Sequence, residues 1–297
     1  MRVFVTGAAG FVGGHLLPRL RDAGAEVTAT DREVDVTDAA SLGAALHAAR
    51  PDGLIHLAAQ SSVQASIADP AQAFRLNYLG SRNVLRTVER EAPKARVLLI
   101  GSSDAYGSGD AGDRLIAETD PLLPESPYAR SKAAAELLGA LACDRGLDVV
   151  RVRAFTHIGP GQTDRFVAAS FARQVAEIAE GVREAKLVVG NLDSVRDFLD
   201  VRDVVNAYTM LLDPKVPAGT YNVASGRGVA IREILDELMS LAGVSATIEV
   251  DPERFRPTDH RIGDATRLRE ATGWEPRIPL RDTLAEMLED WRRRVRG

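Results

Sequence analysis

The sequence is poor in cysteine: Cys143 is the only one among 297 residues. A single thiol cannot form an internal disulfide, which excludes the disulfide-held folds of small secreted domains. No apolar run approaches the roughly 18 residues that a membrane-spanning helix requires, and the chain starts on an apolar strand pattern instead of a signal peptide. We therefore expect a cytoplasmic protein with no membrane partner, and we predict no metal site.

An excess of charge of one sign is also lacking. The formal net charge is -5, with 45% hydrophobic and 27% charged residues, the proportions of an ordinary soluble protein. Such a balance gives no reason to expect nucleic acid as a partner. A chain of this length exceeds the usual size of a single core, so we expect one large α/β unit with a smaller subdomain.

Apolar bursts that resemble strands alternate with helical patterns. Strands are predicted at 26–30, 54–58, 96–100 and 148–153, and the helices between them at 42–49, 71–90 and 129–143. This alternation predicts a parallel sheet covered by helices on both faces, the doubly wound α/β fold of Rossmann type. The segment 264–294 is predicted to form one amphipathic closing helix.

A glycine-rich turn follows the first apolar run and opens a helical pattern. Its glycines are Gly7, Gly10 and Gly13, with Phe11 and Val12 starting the helix. Gly7 permits a sharp turn, Gly10 lets backbone approach a pyrophosphate, and Gly13 lets the helix pack closely on the strand. Three glycines alone also fit plain turn chemistry, but their place between strand and helix predicts a dinucleotide site.

An acidic residue, Asp31, ends the second predicted strand. A carboxylate there accepts hydrogen bonds from the adenosine ribose and repels a 2'-phosphate, which favours NAD(H). Arg32 beside it could instead pair with that phosphate. We therefore predict NAD(P)H as cofactor, with NAD(H) slightly favoured.

A serine motif and a tyrosine–lysine pair carry the chemistry. Ser102, Ser103 and Asp104 follow the strand predicted at 96–100, and Tyr128 and Lys132 lie on one helix face. Ser102 can hydrogen-bond the reacting oxygen of a substrate. The phenol of tyrosine has a pKa of about 10. The Lys132 ammonium and a cationic nicotinamide are expected to favour the phenolate and bring this group into the working range of an acid-base catalyst.

With the segments 56–60 and 77–80, these motifs make residues 1 to about 155 resemble an extended short-chain dehydrogenase/reductase. That family acts largely on nucleotide sugars. The resemblance implies that Ser102, Tyr128 and Lys132 form the catalytic triad, with Ser103 and Asp104 beside them. The further cofactor contacts that it implies are Asp35, Val36, Leu57, Ala58, Ala59 and Asn77.

Four later segments resemble the nucleotide-sugar half of this family, in particular GDP-mannose 4,6-dehydratases and GDP-4-keto-6-deoxy-mannose reductases. These segments are 155–162, 189–203, 221–226 and 254–259. The likeness covers essentially the whole chain and implies a GDP-linked sugar as substrate. It also implies two units, a Rossmann domain at 1–155 plus about 198–224 and a substrate-binding subdomain at about 156–197 and 225–297.

Two arginines in these segments, Arg196 and Arg256, would by that likeness clamp a diphosphate, which guanidinium geometry suits. The alternative is a purely structural ion pair of Arg196 with Asp197 or Asp200. The other substrate contacts that the likeness implies are Gln60, Ser61, Thr156, His157, Phe166, Val167, Asn191 and Asp259. Thr156 stands where related sequences usually carry asparagine.

Three reactions fit such a site. Dehydration needs a base for the C5 proton and an acid for the C6 hydroxyl, and the mannose-type dehydratases that this chain resembles carry Ser-Glu where it has Ser103-Asp104. The shorter carboxylate matters, because a displacement of about 1 Å can cost about a hundredfold in rate. The connection between Asp31 and Asp35 also lacks their long loop. We therefore rank a reductase of a GDP-4-keto-6-deoxy hexose first, ahead of a 4,6-dehydratase, a 4-epimerase and a non-enzymatic nucleotide sensor.

The segments 71–91 and 128–143 are long and alanine-rich, which lets helices approach closely. The family that this chain resembles usually dimerises through these helices, so we expect a homodimer built the same way.

Overall fold

The computed structural model describes residues 1–108, 114–252 and 258–297. Its strands are β1 Arg2–Thr6, β2 Glu26–Thr30, β3 Gly53–His56, β4 Arg96–Ile100, β5 Val149–Ala154, β6 Thr156–Ile158, β7 Lys186–Val189, β8 Val195–Asp200, β9 Gly219–Val223, β10 Gly228–Ala230, β11 Thr247–Val250 and β12 His260–Arg261. Its α-helices are α1 Phe11–Asp22, α2 Ala39–Ala49, α3 Val63–Ala68, α4 Pro70–Phe74, α5 Ser81–Glu91, α6 Pro127–Asp144, α7 Val167–Ala179, α8 Val201–Leu211, α9 Ile231–Ala242, α10 Thr266–Thr272 and α11 Leu280–Arg296.

The main sheet is parallel, with the strand order β2-β1-β3-β4-β5-β9. Val3, Phe4 and Val5 of β1 are almost fully buried, as expected for a strand covered on both faces. The chain leaves β1 for β2 on one side and then crosses to β3 on the other, so the order of the sheet reverses at β1. The predicted doubly wound α/β fold is confirmed, and folds of this type bind ligands at the carboxyl edge beside such a reversal.

Several predicted elements occur close to their expected bounds. The strands predicted at 26–30 and 96–100 match β2 and β4, whereas the strand predicted at 54–58 ends at His56, because the backbone of Ala58 turns to lie against Gly7. The helix predicted at 129–143 extends to Pro127–Asp144. Ser126 Oγ accepts a hydrogen bond from Ala129 N at 3.1 Å and so caps its start.

The prediction of one helix at 71–90 is wrong in its middle. A π-helical turn, Arg75–Gly80, separates α4 from α5. Inside it, Asn77 Oδ1 accepts from Gln60 N at 2.8 Å and Asn77 Nδ2 donates to Gln60 O at 3.0 Å. Such turns are frequent beside functional sites, and this one directs an amide toward the end of the third strand.

The prediction of one closing helix at 264–294 is also wrong. The helix α10 ends at Thr272, Gly273 adopts a left-handed φ of 69°, and α11 begins only at Leu280. Trp274 in the connection is buried in the main core, and its Nε1 donates to Asp203 O at 2.9 Å. Burial of this indole requires the chain to leave the helical path.

A second hydrophobic core lies outside the main sheet. It is formed by α7, α9 and α11, with Phe171, Leu235 and Met287 among its buried residues. Beside it, β8 pairs with β6 and β12 in parallel and with β10 in antiparallel orientation. The strands β7 and β11 form a separate parallel pair.

In the three described ranges, no helix combines the length and apolar character needed to span a bilayer. The same ranges hold no group of three or more His, Cys, Asp or Glu side chains arranged around a possible metal ion.

Candidate active site

A cavity of about 1280 Å³ opens at the carboxyl edge of the main sheet. It is bounded by the turns after β1, β3, β4 and β5 and by α7 and β7, which contribute to the second hydrophobic core. The predicted site residues that line it are Gly7, Gly10, Phe11, Val12, Gly13, Asp31, Arg32, Asp35, Val36, Leu57, Ala58, Ala59, Ser61, Ser102, Ser103, Asp104, Tyr128, Lys132, Thr156, His157, Phe166, Val167, Asn191 and Arg196. The cavity thus joins the glycine-rich turn to the tyrosine–lysine pair and to Arg196.

The glycine-rich turn has the shape that a pyrophosphate site needs. Gly7 has a left-handed φ of 70°, and a Cβ on it would lie 2.5 Å from Ala58 N. A Cβ on Gly13 would lie 2.1 Å from Ala8 O, so only glycine lets α1 pack this closely on the turn. The N-cap of α1 is Gly10, which has no side chain that could cap the helix. The first amides of α1 are therefore available to an anion in the cavity.

Asp31 is hydrogen-bonded to the same turn. Its Oδ2 accepts a hydrogen bond from Ala9 N at 2.9 Å and its Oδ1 accepts from Arg32 N at 2.9 Å. The carboxylate therefore braces the glycine-rich turn, a role that sequence reasoning missed, while lining the cavity at the position predicted for the ribose. The exposed Arg32 lies beside it on the same wall.

Ser102, Tyr128 and Lys132 come together at the middle of the cavity. The Ser102 side chain lies close enough to the Tyr128 phenol to act on its pKa, and Lys132 Nζ donates to Ile100 O at 2.8 Å. Tyr128 and Lys132 are both buried. The backbone of the helix is held as well, since Tyr128 N donates to Ser66 Oγ at 3.1 Å.

The electrostatics of the pair differ from the prediction. Burial, and next the Asp104 carboxylate, raise the pKa of Tyr128 well above that of a free phenol, against the Ser102 hydrogen bond and the Arg261 charge. Burial also lowers the pKa of Lys132 to about 8. In the protein without a nicotinamide the phenol pKa is therefore raised and not lowered, because desolvation of the phenolate outweighs the effects of Ser102 and Arg261. The lowering expected from a bound cationic nicotinamide stays a prediction. Near neutral pH Tyr128 is protonated, the state from which a phenol donates a proton.

Two predicted contact residues, Asn77 and Gln60, lie behind the cavity wall. Besides its bonds to the Gln60 backbone, Asn77 Nδ2 donates to Ser131 Oγ at 2.9 Å. Ser131 lies between Tyr128 and Lys132 on α6. The amide therefore positions the end of the third strand against the catalytic helix and does not line the cavity.

The helix α1 also contacts the segment predicted to bind substrate. The Phe11 ring stacks on His157, with centroids 6.4 Å apart and planes at 4°. His157 Nδ1 donates to Phe155 O at 3.0 Å, and burial lowers the pKa of His157. His15 Nε2 donates to Pro160 O at 2.9 Å. The neutral His157 thus fixes the cofactor side of the cavity to the substrate side.

Arg196 has a structural partner, but neither of those considered from the sequence. Its Nη2 lies 2.8 Å from Asp259 Oδ2. Asp197 instead accepts from the backbone of Ser225, Gly226 and Gly263. Asp200 pairs with Arg202. The Arg196 side chain remains 30% exposed and lines the cavity, whereas Asp259 is buried behind it.

The second predicted clamp residue, Arg256, lies outside the described residues. The chain just after it is anchored at the cavity, because Thr258 Oγ1 accepts from Asn191 Nδ2 at 3.0 Å.

Arg261 is a site residue that sequence reasoning missed. Its Nη2 lies 2.9 Å from Asp259 Oδ2, and its Nη1 lies 2.5 Å from Asp104 Oδ1. In the register of β12 and β8, Arg261 stands opposite Arg196, and the Asp259 carboxylate between them offsets the repulsion. The alternation of Asp259 and Arg261 was visible in the sequence, but the strand pairing that gives it meaning was not.

The chain is similar over its whole length to enzymes of nucleotide-sugar metabolism. The model of the family described as GDP-mannose 4,6 dehydratase matches residues 32–287. The GDP-6-deoxy-D-mannose reductase of Pseudomonas aeruginosa is 40% identical over 300 residues, which cover 99% of this chain and 98% of that protein. GDP-mannose 4,6 dehydratase 2 of Arabidopsis thaliana is 31% identical over 272 residues, which cover 86% of this chain and 69% of that protein.

The fold is also similar to that of a solved structure. The structure of RMD from Pseudomonas aeruginosa complexed with NADPH matches with a TM-score of 0.91 at 39% identity, covering 99% of this chain and 98% of that one. Sequence motifs, sheet order, site geometry and these likenesses agree, and the chain belongs to the GDP-mannose 4,6 dehydratase family, within the epimerase/dehydratase group of extended short-chain dehydrogenases.

Proposed function

We propose that this protein is a reductase that transfers a hydride from NAD(P)H to C4 of a GDP-4-keto-6-deoxy hexose. The observation that carries the proposal is the buried Tyr128, which shares one cavity with Ser102, Lys132, the glycine-rich turn and Arg196. The 40% identical relative is named a GDP-6-deoxy-D-mannose reductase, which supports the same substrate class.

The cofactor fits the glycine-rich turn, where the uncapped start of α1 and the brace from Asp31 suit a dinucleotide diphosphate. When bound, NAD(P)H supplies the hydride. The chain supplies the proton: Ser102 orients the ketone oxygen, and Tyr128 donates its phenolic proton to that oxygen as negative charge develops there. Lys132, four residues further along α6 and on the same helix face, would stabilise with its ammonium the phenolate that remains.

NADP(H) and NAD(H) are both candidates. The matching Pseudomonas structure contains NADPH, and another structural neighbour, 28% identical and with a TM-score of 0.87, contains NAD. Asp31 and Arg32 both line the adenosine end of the cavity, and a slight preference for NAD(H) stays the prediction.

The substrate side is proposed from Arg196 and the residues around it. A guanidinium that lines the cavity and is oriented by a buried carboxylate is suited to a diphosphate. Thr156, His157, Phe166, Val167 and Asn191 would contact the GDP-sugar, with Arg256 as second clamp residue. We also propose the two-unit division predicted from the sequence, which the separate core beneath α7, α9 and α11 supports.

An assay with defined stoichiometry tests the function. Enzyme, GDP-4-keto-6-deoxy-mannose and NADPH or NADH should consume one reduced cofactor per sugar. A dehydratase or a 4-epimerase recycles its cofactor, so turnover of GDP-mannose without net change in absorbance at the nicotinamide band would replace this proposal by one of those activities.

We further propose a homodimer. Leu137 and Leu141 lie on one face of α6 and are 63% and 54% exposed, which is costly in water and typical of an interface. Light scattering at micromolar concentration should give twice the mass of 31.9 kDa, and Leu137→Lys with Leu141→Lys should give the single mass. A monomeric wild type would end the idea. A cytoplasmic location stays a prediction.

A further inference from the structure

Asp104 raises a chemical problem for a reductase. A 4-keto sugar has an acidic C5 proton, because the ketone stabilises the enolate that remains when the proton leaves. A base that takes this proton leaves an enolate whose charge rests on the C4 oxygen, and a proton returned to the opposite face of C5 inverts that carbon. Asp104 lines the cavity and is close enough to Tyr128 for its charge to act on the phenol. A carboxylate that a reductase does not need therefore lies near the expected position of the sugar.

The Asp104 carboxylate is engaged in an ion pair. Asp104 Oδ1 is held by Arg261, whose side chain is only 9% exposed. The same guanidinium binds Asp259 with its other terminal nitrogen, so the planar fork of one arginine serves two carboxylates. Asp259 in turn holds Arg196. The result is an unbroken series of alternating charges from the proposed diphosphate site to the sugar site.

We propose that Arg261 is a specificity-determining residue that holds Asp104 in an ion pair and so keeps this carboxylate from taking the C5 proton of the 4-keto sugar. The inference rests on the reductase activity proposed above and names what limits the site to that reaction. Its physical basis is that a turn of the Asp104 carboxylate toward the sugar would leave one nitrogen of the buried Arg261 guanidinium without its partner, while the other stays on Asp259.

The ion pair is stable against loss of the arginine proton. Burial opposes the charge on Arg261, but the Asp104 and Asp259 carboxylates raise its pKa overall. Lysine could not replace it fully, because one ammonium lacks the two separate nitrogens that meet the two carboxylates.

Hydrogen exchange at C5 tests the proposal without relying on reduction. The enzyme is incubated in D₂O with NADP⁺ and GDP-4-keto-6-deoxy-mannose, and deuterium at C5 is followed by NMR. A free carboxylate would take the C5 proton and return a deuteron through the enolate. Wild type should exchange no faster than Asp104→Asn. Arg261→Met should exchange about a hundredfold faster, the usual contribution of a positioned general base.

Matched variants separate this role from a structural one. Adding Asp104→Asn to Arg261→Met should return exchange to the wild-type level, and Arg261→Lys should give an intermediate rate. Arg202 pairs with Asp200, and neither residue lines the cavity. Arg202→Met should therefore leave exchange unchanged.

Two results would overturn the inference: an Asp104-dependent exchange in wild type, or unchanged exchange in a folded Arg261→Met or Arg261→Lys enzyme. The first comparison and the lysine variant decide the matter even where Arg261→Met does not fold. Failure of the proposed function would be seen separately, as absence of NAD(P)H consumption by wild type with the 4-keto sugar.

Discussion

The Lys132 ammonium donates a hydrogen bond to the carbonyl oxygen of Ile100 at 2.8 Å. Ile100 is the last residue of β4, and Ser102 follows it by two positions. The bond therefore ties the lysine of α6 to the strand end that carries the catalytic serine. Because both partners are held by regular secondary structure, the ammonium has a defined place at the end of β4 before any ligand binds.

The first prediction concerns the pH dependence of this lysine. Burial lowers its pKa from 10.5 to about 8, and the protonated form stabilises the phenolate that proton donation leaves. The value of kcat/KM should therefore stay level below about pH 8 and fall as pH rises through it. Lys132→Arg should move that decline to higher pH at a reduced rate. An unchanged decline in the arginine variant would assign the titration to another group.

The same lowering of the Lys132 pKa has the opposite effect on stability, which it makes rise with pH. Between about pH 8 and the ordinary value of 10.5, the unfolded chain binds more protons at this lysine than the folded one. The contribution of Lys132 therefore makes the free energy of unfolding rise with pH across that window. Urea unfolding of wild type and Lys132→Met at pH 7 and 10 measures this difference, and equal pH dependence in both would contradict it.

The second prediction is that Tyr128→Phe removes nearly all turnover. The loss should be on the order of a hundredfold to ten-thousandfold, the range for a general acid, with cofactor affinity within a few-fold. Tyr106→Phe is the matched control, because that phenol is buried, donates to Asn222 Oδ1 at 2.8 Å and does not line the cavity. It should lower the melting temperature and keep turnover. Equal losses of binding and rate in Tyr128→Phe would rule out the assignment.

The third prediction concerns the cofactor. Asp31→Asn should raise the ratio of kcat/KM for NADPH to that for NADH by about tenfold, equivalent to about 1.4 kcal/mol, because the charge that repels a 2'-phosphate is gone. Asparagine keeps an acceptor for Ala9 N, whereas Asp31→Ala should shift the preference and also destabilise the turn. A wild type that accepts NADPH alone would mean that Arg32 governs the site.

Local sequence patterns were sufficient for the main sheet and insufficient where distant contacts decide. The strands predicted at 26–30 and 96–100 match β2 and β4, because each is a short run rich in β-branched or apolar residues. The π-helical turn depends on Asn77 reaching a backbone 17 residues away. The break before α11 depends on burial of Trp274 in the main core. Neither the reach of Asn77 nor the burial of Trp274 is visible in the local sequence.

The site residues likewise divide into those that the sequence could predict and those that it could not. Tyr128, Lys132 and Ser102 could be placed together because strand ends of a parallel sheet meet at one edge. Arg261 could not, since its role depends on the register of β12 with β8. The direction of the Tyr128 pKa shift also could not be predicted, because it is set by burial, which the sequence does not display.

The last prediction tests the diphosphate clamp. If Arg196 binds a phosphate of the substrate, its charge-assisted hydrogen bonds are worth about 1.5 to 3 kcal/mol. Arg196→Ala should then raise the Kd for a GDP-sugar by roughly tenfold to a hundredfold at unchanged cofactor affinity, and Arg196→Lys should recover part of the loss. The melting temperature should change little, because the buried Asp259 keeps its ion pair with Arg261. Isothermal titration of Arg196→Ala and of Arg202→Ala, whose guanidinium pairs with Asp200, makes the comparison. A lowered melting temperature with an unchanged Kd in Arg196→Ala would make this arginine a structural residue alone.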